Sequence, residues 1–208
     1  MPELPEVETT VRGLARVLDG ERIERVEVRR ADLRRAFPAD LVQALTGARV
    51  TALSRRAKYG IIHTDRGRSL VFHLGMSGRW RIDPDALDKH DHLVVETAKH
   101  RLALNDARRF GSVDLVDEAG LDDWPAFKAL GPEPLGADLT PALLRAATRG
   151  RKPAIKLLLL DQRVVAGLGN IYVCEALWRA RIDPRKSGAK VTGPQLARLV
   201  PAIRAVLE

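Results

Sequence analysis

The sequence predicts an α+β fold: an N-terminal β-sandwich domain that starts with a helix, then a C-terminal domain made of helices. Three observations support this prediction. Apolar residues recur at helical spacing near the N-terminus, short segments rich in Val, Ile and Leu alternate with turn-forming residues from 22 to 116, and helical patterns fill the chain after a Gly- and Pro-rich segment at 130–140. We therefore expect one domain at 1–130 and a second at 131–208.

A first helix is predicted from residue 5 to residue 18. Its apolar residues follow one another at helical steps, which places them on one face: Val7, Val11, Leu14 and Leu18. Glu6 and Glu8 fall in the first turn, where the helix dipole favours negative charge. The helix thus explains two of the three glutamates in the opening "MPELPEVE" and leaves Pro2-Glu3 to be explained.

The β-rich part of the sequence has the lengths and residue types of short strands. Its segments are "RVEVR", "ARVTALS", "YGIIHT", "SLVFHLGM", "HLVVET", "RLALND" and "SVDLV". Turn-formers such as "DRG" and "DPD" separate several of them, as expected for antiparallel strands. The pattern indicates a sandwich or a barrel and leaves both open. One short helix is expected at about 39–45, after Pro38.

The change to a helical domain is marked by "LGPEPLGADLT". Asp138 or Thr140 is available there as a helix cap before Pro141, which suits a first helical position. Four helical patterns follow, joined by short connections: "TPALLRAATRG", "KPAIKLLLLDQ", "NIYVCEALWRARI" and "TGPQLARLVPAIRAVLE".

The composition is that of a basic globular protein. Lys and Arg total 35 against 27 Asp and Glu, which gives a formal net charge of +8 and favours a polyanionic partner. Nucleic acid is favoured over an acidic membrane surface, and a solvated cationic surface is the ordinary alternative. No signal peptide or membrane span is recognisable, so we expect the protein in the cytoplasm, associated with the nucleoid. We also expect a monomer.

Cysteine usage excludes two kinds of site. Cys174 is the only cysteine, so the chain cannot form an internal disulfide or a cysteine-based zinc site by itself. The "HDH" of residues 90–92 would allow two histidines to bind a metal from one strand face. No third ligand is evident in the sequence, and we expect no metal there.

A glycine-bearing segment, "DQRVVAGLGN" at 161–170, lies between the second and third helical patterns. Gly167 and Gly169 would let the backbone approach a ligand closely, and Asn170 would cap the next helix with its N–H groups facing outward towards a phosphate. The third glycine and the preceding strand of a dinucleotide fold are missing. A tight turn between helices is the ordinary alternative.

Further candidate residues lie near glycines at strand ends. Lys58 in "RRAKYG" begins a strand beside two arginines, where a lysine is normally solvated. Met76 in "HLGMSG", and Arg108 and Phe110 in "NDARRFG", could project from the sheet and enter a base stack as wedges. Core packing is the alternative for Met76 and Phe110.

The start of the chain allows a nucleophile. Removal of Met1 would leave Pro2 as an N-terminal secondary amine directly beside the carboxylate of Glu3. The pair is either a plain lead-in to the first helix or a catalytic amine with its own acid. Amines condense with the carbonyl carbon of a sugar to give a Schiff base or an iminium.

Together these segments resemble the formamidopyrimidine-DNA glycosylase family, bacterial enzymes of base-excision repair. The resemblance rests on seven motifs in order along the chain: "PELPEVET", "RRAKYG", "HLGMSG", "KHDHL", "RRFG", "LGPEPL" and "AGLGNIYVCEAL". Leu4 favours this branch over the related endonuclease VIII branch, which tends to carry glycine there. The resemblance implies a β-sandwich domain and a helix–two-turn–helix domain, the latter at 131–208.

The resemblance also implies an activity and its residues. It implies a bifunctional DNA glycosylase and abasic-site lyase that acts on oxidised purines, chiefly 8-oxoguanine and formamidopyrimidines, in double-stranded DNA. Pro2 would attack C1′ of the damaged nucleoside, Glu3 would be the general acid and base, and Lys58 would be a second proton donor that contacts phosphate.

DNA contacts are implied in the same way. Glu6 would line the lesion pocket, and Arg108 would also pair with the orphaned cytosine. The gap left by the extruded nucleotide would be filled by Met76, Arg108 and Phe110. Contacts to the DNA backbone, which fix register without reading sequence, are implied for His73, His90, Arg151 and Asn170.

The sequence departs from the family pattern at its end. The family usually ends in a four-cysteine zinc finger that supplies an arginine to the active site, and this chain stops at "AIRAVLE". We therefore expect a truncated member, with no cofactor in this chain and one zinc ion in the full-length family. The alternatives are a non-catalytic module that binds damaged DNA and a single-strand binder, which needs more stacking aromatics than the 4% present here.

Overall fold

The protein forms two compact units in a computed structural model that describes residues 1–208. The first consists of Met1–Pro2 and Glu6–Trp124, and the second of Glu3–Pro5 and Pro125–Glu208. The expected α+β fold is confirmed, with all eight β-strands in the first unit and helices, but no strand, after residue 124. The division into domains at 130/131 stays a prediction.

The first unit contains eight strands in two antiparallel sheets. The strands are β1 (Ile23–Val28), β2 (Val50–Arg56), β3 (Tyr59–Thr64), β4 (Arg68–His73), β5 (Arg79–Ile82), β6 (Asp91–Thr97), β7 (Arg101–Asn105) and β8 (Ser112–Asp117). One sheet has the order β1-β6-β7-β5 and the other the order β2-β3-β4-β8. Two separate sheets favour the sandwich over the barrel.

Two helices accompany these sheets: α1 (Leu4–Leu18), whose first two residues belong to the second unit, and α2 (Leu41–Leu45). Each prediction was correct to within two residues at the start. The predicted apolar stripe of α1 is buried, and its members join residues of both sheets in one core, among them Phe72 and Leu93. A Cβ at Gly60 would lie 2.1 Å from the ring of Phe72, so only glycine fits opposite this aromatic side chain.

The second unit is built from α3 (Pro125–Lys128), α4 (Pro141–Thr148), α5 (Ile155–Leu160), α6 (Asn170–Arg179) and α7 (Gly193–Leu207). Of the two predicted caps of α4, Thr140 is the N-cap: its hydroxyl accepts the N–H of Leu143 at 3.1 Å. Apolar faces of α4 to α7 form a separate core that also contains Leu4. None of the helices combines the length and the apolar character needed to cross a membrane.

Candidate functional site

The carboxylate of Glu3 lies at the N-terminus of α6. The Glu3 residue is 1% exposed, and its carboxylate accepts the N–H groups of Gly169 at 2.7 Å, Ile171 at 2.9 Å and Tyr172 at 3.3 Å. Helix N-termini present unpaired N–H groups and favour negative charge. This acid is therefore fixed in position by main-chain donors.

The segment between α5 and α6 packs closely against Glu3 and Leu4. Gly167 has φ +82°, and its carbonyl accepts the N–H of Leu4 at 3.1 Å. A Cβ at Gly169 would lie 2.4 Å from Cδ of Glu3. Gln162 supports the segment, since its side chain accepts the N–H of Gly167 at 2.9 Å and donates to the carbonyl of Leu168 at 2.8 Å.

This arrangement corrects the interpretation of the "GLGN" motif. The close approach that Gly167 and Gly169 allow is made by Leu4 and Glu3 of the same chain. Asn170 is the first residue of α6 and not its N-cap, which is Gly169. The outward-facing N–H groups expected there are taken by Glu3. Asn170 is exposed, and its contact with DNA stays a prediction.

Lys58 lies in the two-residue turn between β2 and β3, just before the strand that it was expected to begin. It is buried, with 7% exposure, and Ala57 beside it has φ +52°, a conformation that residues other than glycine rarely adopt. Arg55 donates to the carbonyl of Ala57 at 2.9 Å and to the carboxylate of Glu8 at 2.9 Å. Thus α1 supports the turn that presents Lys58.

Glu8 is held ionised in this contact. Burial raises the pKa of its carboxyl, and hydrogen bonds from Arg12 and Arg55 outweigh burial, so that the net shift is downward. From the sequence, Glu8 was expected only to lie in the first turn of the first helix, whereas Glu6 is the acidic residue in the first turn of α1. Glu8 and Arg55 lie 47 positions apart, so no local sequence pattern predicts that they pair.

His73 ends β4 in a positively charged environment. Burial, followed by the positive charges of Lys58, Arg34 and Arg35, lowers the pKa of its imidazole to about 4. Its Nδ1 accepts the N–H of Gly75 at 3.0 Å, which leaves Nε2 as the protonated nitrogen of the neutral ring. At neutral pH, His73 is therefore an uncharged donor beside three cations.

Two neighbouring loops carry the expected wedge residues. Residues 74–78 form the Met76 loop, and residues 106–111 form the Arg108 loop. Met76 is 39% exposed and Phe110 is 46% exposed, so neither belongs to the core. The guanidinium of Arg108 lies 4.7 Å from the centre of the Phe110 ring, a cation–π contact. The core-packing alternative is wrong for both apolar residues.

His90 and His92 do not share a strand face. His90 precedes β6, and the centres of the two rings are 6.2 Å apart. His92 is buried, and its Nε2 donates to the carbonyl of Asp106 at 2.9 Å. The structure contains no group of three or more His, Cys, Asp or Glu side chains placed to hold a metal ion.

The remaining candidates lie at accessible positions. Pro2 is half-buried behind an exposed Met1, and Glu6 is exposed in the first turn of α1. Arg151 is exposed between α4 and α5, where its carbonyl accepts the N–H of Ala189 at 2.8 Å. Three supporting residues were not recognised from the sequence: Glu8 and Arg55 hold the turn that carries Lys58, and Asp106 bonds to both wedge-bearing loops.

Comparisons with known proteins agree with this architecture. The sequence model of the formamidopyrimidine-DNA glycosylase N-terminal domain matches residues 1–113, and that of the formamidopyrimidine-DNA glycosylase H2TH domain matches residues 130–208. Both matches describe domains of one class of enzyme, the DNA glycosylases of base-excision repair. The chain belongs to the formamidopyrimidine-DNA glycosylase family.

Similar proteins support the assignment along the whole chain. Formamidopyrimidine-DNA glycosylases of Novosphingobium aromaticivorans and Erythrobacter litoralis are 71% and 68% identical, over 100% of this chain and 77% of theirs. The structure resembles Lactococcus lactis Fpg (MutM) in complex with DNA that contains N7-benzyl-Fapy-dG, with a TM-score of 0.93 and 36% identity over 99% of this chain and 77% of that one. It also resembles Lactococcus lactis Fpg in complex with DNA containing an abasic site, with a TM-score of 0.91 and 37% identity over 99% and 77% of the two chains.

The residues of this chain do not fit the zinc site expected for the family. Cys174 is the single cysteine, and it lies half-buried on α6. A four-cysteine zinc site cannot be assembled from one cysteine.

Proposed function

We propose that this chain is a bifunctional base-excision enzyme, which removes oxidised purines and cleaves the abasic site through a Schiff base on Pro2. One observation supports this most directly. Glu3, the residue next to Pro2, is buried and is held by three main-chain N–H groups at the N-terminus of α6. A residue that only led into a helix would not need a buried, fixed carboxylate.

The chemistry follows from an N-terminal secondary amine. With Met1 removed, the lone pair of the Pro2 nitrogen forms a bond to C1′ of the damaged nucleoside while the bond from C1′ to the base breaks. The base leaves with that electron pair and takes up a proton. The sugar ring then opens as O4′ leaves C1′ and is protonated, the amine loses its own proton, and an iminium joins Pro2 to the DNA.

Strand cleavage follows from the same intermediate. The iminium makes the C2′ proton acidic, and removal of this proton breaks the C3′–O bond on the 3′ side. A second elimination breaks the C5′–O bond on the 5′ side, and hydrolysis frees Pro2. Glu3 lies beside the amine in the chain, so we assign to it proton transfer to the sugar and from the amine.

The remaining site residues are assigned by position. Lys58 is buried in a turn held by Arg55, and we assign to it a phosphate contact and a second proton transfer. Glu6, exposed in the first turn of α1, lines the lesion pocket. Contacts to the DNA backbone, which fix the register of the protein on the duplex, are proposed for His73, His90, Arg151 and Asn170.

The substrate class is double-stranded DNA with oxidised purines, such as 8-oxoguanine and formamidopyrimidines, or with abasic sites. The formal charge of +8 favours a polyanion, and the similar Lactococcus lactis structures contain DNA with a formamidopyrimidine or an abasic site. Met76, Arg108 and Phe110 would fill the gap left by the extruded nucleotide, which offsets part of the unstacking energy. We propose that the protein acts as a monomer in the cytoplasm.

Borohydride trapping tests the proposal. An oligonucleotide with 8-oxoguanine opposite cytosine is incubated with the protein and sodium borohydride, and the crosslinked peptide is mapped by mass spectrometry. We expect a covalent complex at Pro2, only on molecules that have lost Met1. Pro2→Gly should excise 8-oxoguanine poorly and still cleave preformed abasic sites to some extent, because glycine offers a primary amine. Binding of damaged DNA with no trapped complex would support the non-catalytic alternative, and a crosslink at an internal lysine would reject Pro2 as the nucleophile.

A further inference from the structure

A buried carboxylate, Asp106, links the Met76 loop to the Arg108 loop. It follows the last residue of β7 and is 1% exposed. Its Oδ1 accepts the hydroxyl of Ser77 at 2.5 Å, and its Oδ2 accepts the N–H of Gly111 at 2.8 Å. One oxygen therefore bonds to each loop, with Ser77 next to Met76 and Gly111 next to Phe110.

Ser77 extends this link to Arg108. The hydroxyl has a single proton, which it donates to Asp106, so its lone pair is available to accept the N–H of Arg108 at 3.2 Å. The hydrogen bonds thus run in one direction, from the main chain of Arg108 through Ser77 to the carboxylate.

Glycines bring the two loops into direct contact. A Cβ at Gly75, which has φ +61°, would lie 2.3 Å from the carbonyl carbon of Phe110. A Cβ at Gly111 would lie 2.7 Å from the carbonyl oxygen of His73. No side chain separates the backbones, so a displacement of one loop displaces the other.

The main chain of Asp106 is anchored to its surroundings. Its N–H donates to the carbonyl of His90 at 3.0 Å, and its carbonyl accepts from Nε2 of His92 at 2.9 Å and from the N–H of Arg109 at 3.2 Å. Every polar group of this residue is therefore used within the protein, and its side chain is buried.

We propose that Asp106 is a positioning residue that holds Met76, Arg108 and Phe110 in one preformed arrangement for insertion into DNA. The proposal rests on the proposed function, since it assigns these three side chains to the gap in the duplex. Extruding a nucleotide already costs unstacking energy, and ordering two loose loops at the same moment would add conformational entropy to that cost. A wedge that is fixed before binding avoids the second cost.

Ser77→Ala tests the link because it removes both hydrogen bonds of the Ser77 hydroxyl, to the carboxylate of Asp106 and from the N–H of Arg108, and leaves the hydrogen bond that Asp106 accepts from Gly111. We expect excision of 8-oxoguanine from duplex DNA to fall about tenfold or more, since the hydrogen bond to the charged group alone accounts for about tenfold. Cleavage at a preformed abasic site should change much less. Ser69→Ala is the matched control, since Ser69 is also buried and donates to a carboxylate, that of Glu118, away from both loops.

A fluorescence measurement separates this proposal from the proposed function. 2-Aminopurine is placed next to a tetrahydrofuran abasic analogue in duplex DNA, and its fluorescence at saturating protein reports on insertion without any base excision. We expect Ser77→Ala to lower the fluorescence change and Ser69→Ala to leave it intact. If the protein inserted its wedge residues normally but excised no base, the proposed enzymatic function would be disproved and the proposed role of Asp106 would stand.

A double-mutant cycle completes the test. If Ser77 acts through the wedge, Ser77→Ala should have little further effect on fluorescence or excision in a Met76→Ala background. Additive effects, or an unchanged fluorescence signal in Ser77→Ala, would overturn the proposal. Should Ser77→Ala fail to fold, Ser77→Thr and Ser77→Val provide a pair of equal shape that differs in the hydroxyl, and equal insertion by both would overturn it as well.

Discussion

The carboxylate of Glu3 accepts a hydrogen bond of 2.7 Å from the N–H of Gly169, which lies 166 positions further along the chain. The first residues of the sequence are thus fixed by the N-terminus of α6, a helix near the other end. Pro2 is bonded directly to Glu3, so a change in this contact displaces the proposed acid, which is the chain neighbour of the proposed nucleophile.

Gly169→Ala should therefore damage the proposed active site and leave the fold intact. The backbone of Gly169 has φ −131°, which alanine adopts readily, but its Cβ would lie 2.4 Å from Cδ of Glu3. We expect excision to fall about a hundredfold, the scale of a misplacement of about 1 Å. Gly193→Ala, where the Cβ would meet no atom within 4 Å, is the matched control. Similar excision rates for both variants would show that the position of Glu3 does not limit the reaction.

Arg55→Lys should loosen the turn that presents Lys58. Lysine cannot donate from a planar fork to Glu8 and to the carbonyl of Ala57 together, so we expect about tenfold slower excision and a loss of about 1–2 kcal/mol in the free energy of unfolding. Arg12→Lys is the control on the same carboxylate: its side chain is 75% exposed, whereas that of Arg55 is 12% exposed.

Single-turnover excision and urea unfolding of both variants check this prediction. Arg12→Lys should stay within about 0.5 kcal/mol of the parent protein, as exposed ion pairs contribute little. Equal losses in the two lysine variants would mean that the guanidinium bond to Glu8, which both arginines make, is what matters, and not the bond from Arg55 to Ala57 in the turn.

The wedge residues should affect base extrusion more than strand cleavage. Met76→Ala, Arg108→Ala and Phe110→Ala are each expected to slow excision from duplex DNA, with a smaller effect at a preformed abasic site, where no base is extruded. Because these side chains are exposed, the free energy of unfolding should change by less than about 1 kcal/mol. Ile82→Ala is the control for removal of an apolar side chain of similar exposure, 40%, at the end of β5. If the variants lost as much activity at a preformed abasic site as in excision from duplex DNA, these residues would contribute to DNA binding in general and not to base extrusion.

Local patterns in the sequence predicted local structure well. The stripe from Val7 to Leu18 and the cap at Thr140 were correct because helix periodicity and capping involve neighbours within a few residues. The N-terminus of α6 was misjudged because its partner, Glu3, lies 166 positions away. Asp106 was missed for a similar reason: an Asp at a strand end is common, and its bonds to Ser77 and Gly111 require the folded arrangement of two loops.

The charge state of His73 could not be predicted from sequence either, and it leads to a pH dependence of stability. The folded protein lowers the pKa of this imidazole to about 4, whereas an unfolded chain gives about 6.5. Between these values the unfolded chain binds more protons, so the free energy of unfolding rises with pH and falls on acidification. One pKa unit corresponds to about 1.36 kcal/mol, so the free energy of unfolding should fall by on the order of 3 kcal/mol from pH 7.5 to below pH 4.

His73→Gln should remove this dependence. Glutamine stays neutral in both states, so we expect the variant to lose less free energy of unfolding than the parent between pH 7.5 and pH 4.5, even if it is less stable at pH 7.5. Urea unfolding at closely spaced pH values measures the slope, and His100→Gln is the control for loss of another histidine. The ring of His100 faces the carboxylate of Asp83 at 2.7 Å instead of three cations, so its removal should not reproduce the effect. If the free energy of unfolding changed with pH equally in the parent protein and in His73→Gln, His73 would be protonated as easily in the folded state as in the unfolded chain. The cations around His73 would then not lower its pKa as argued.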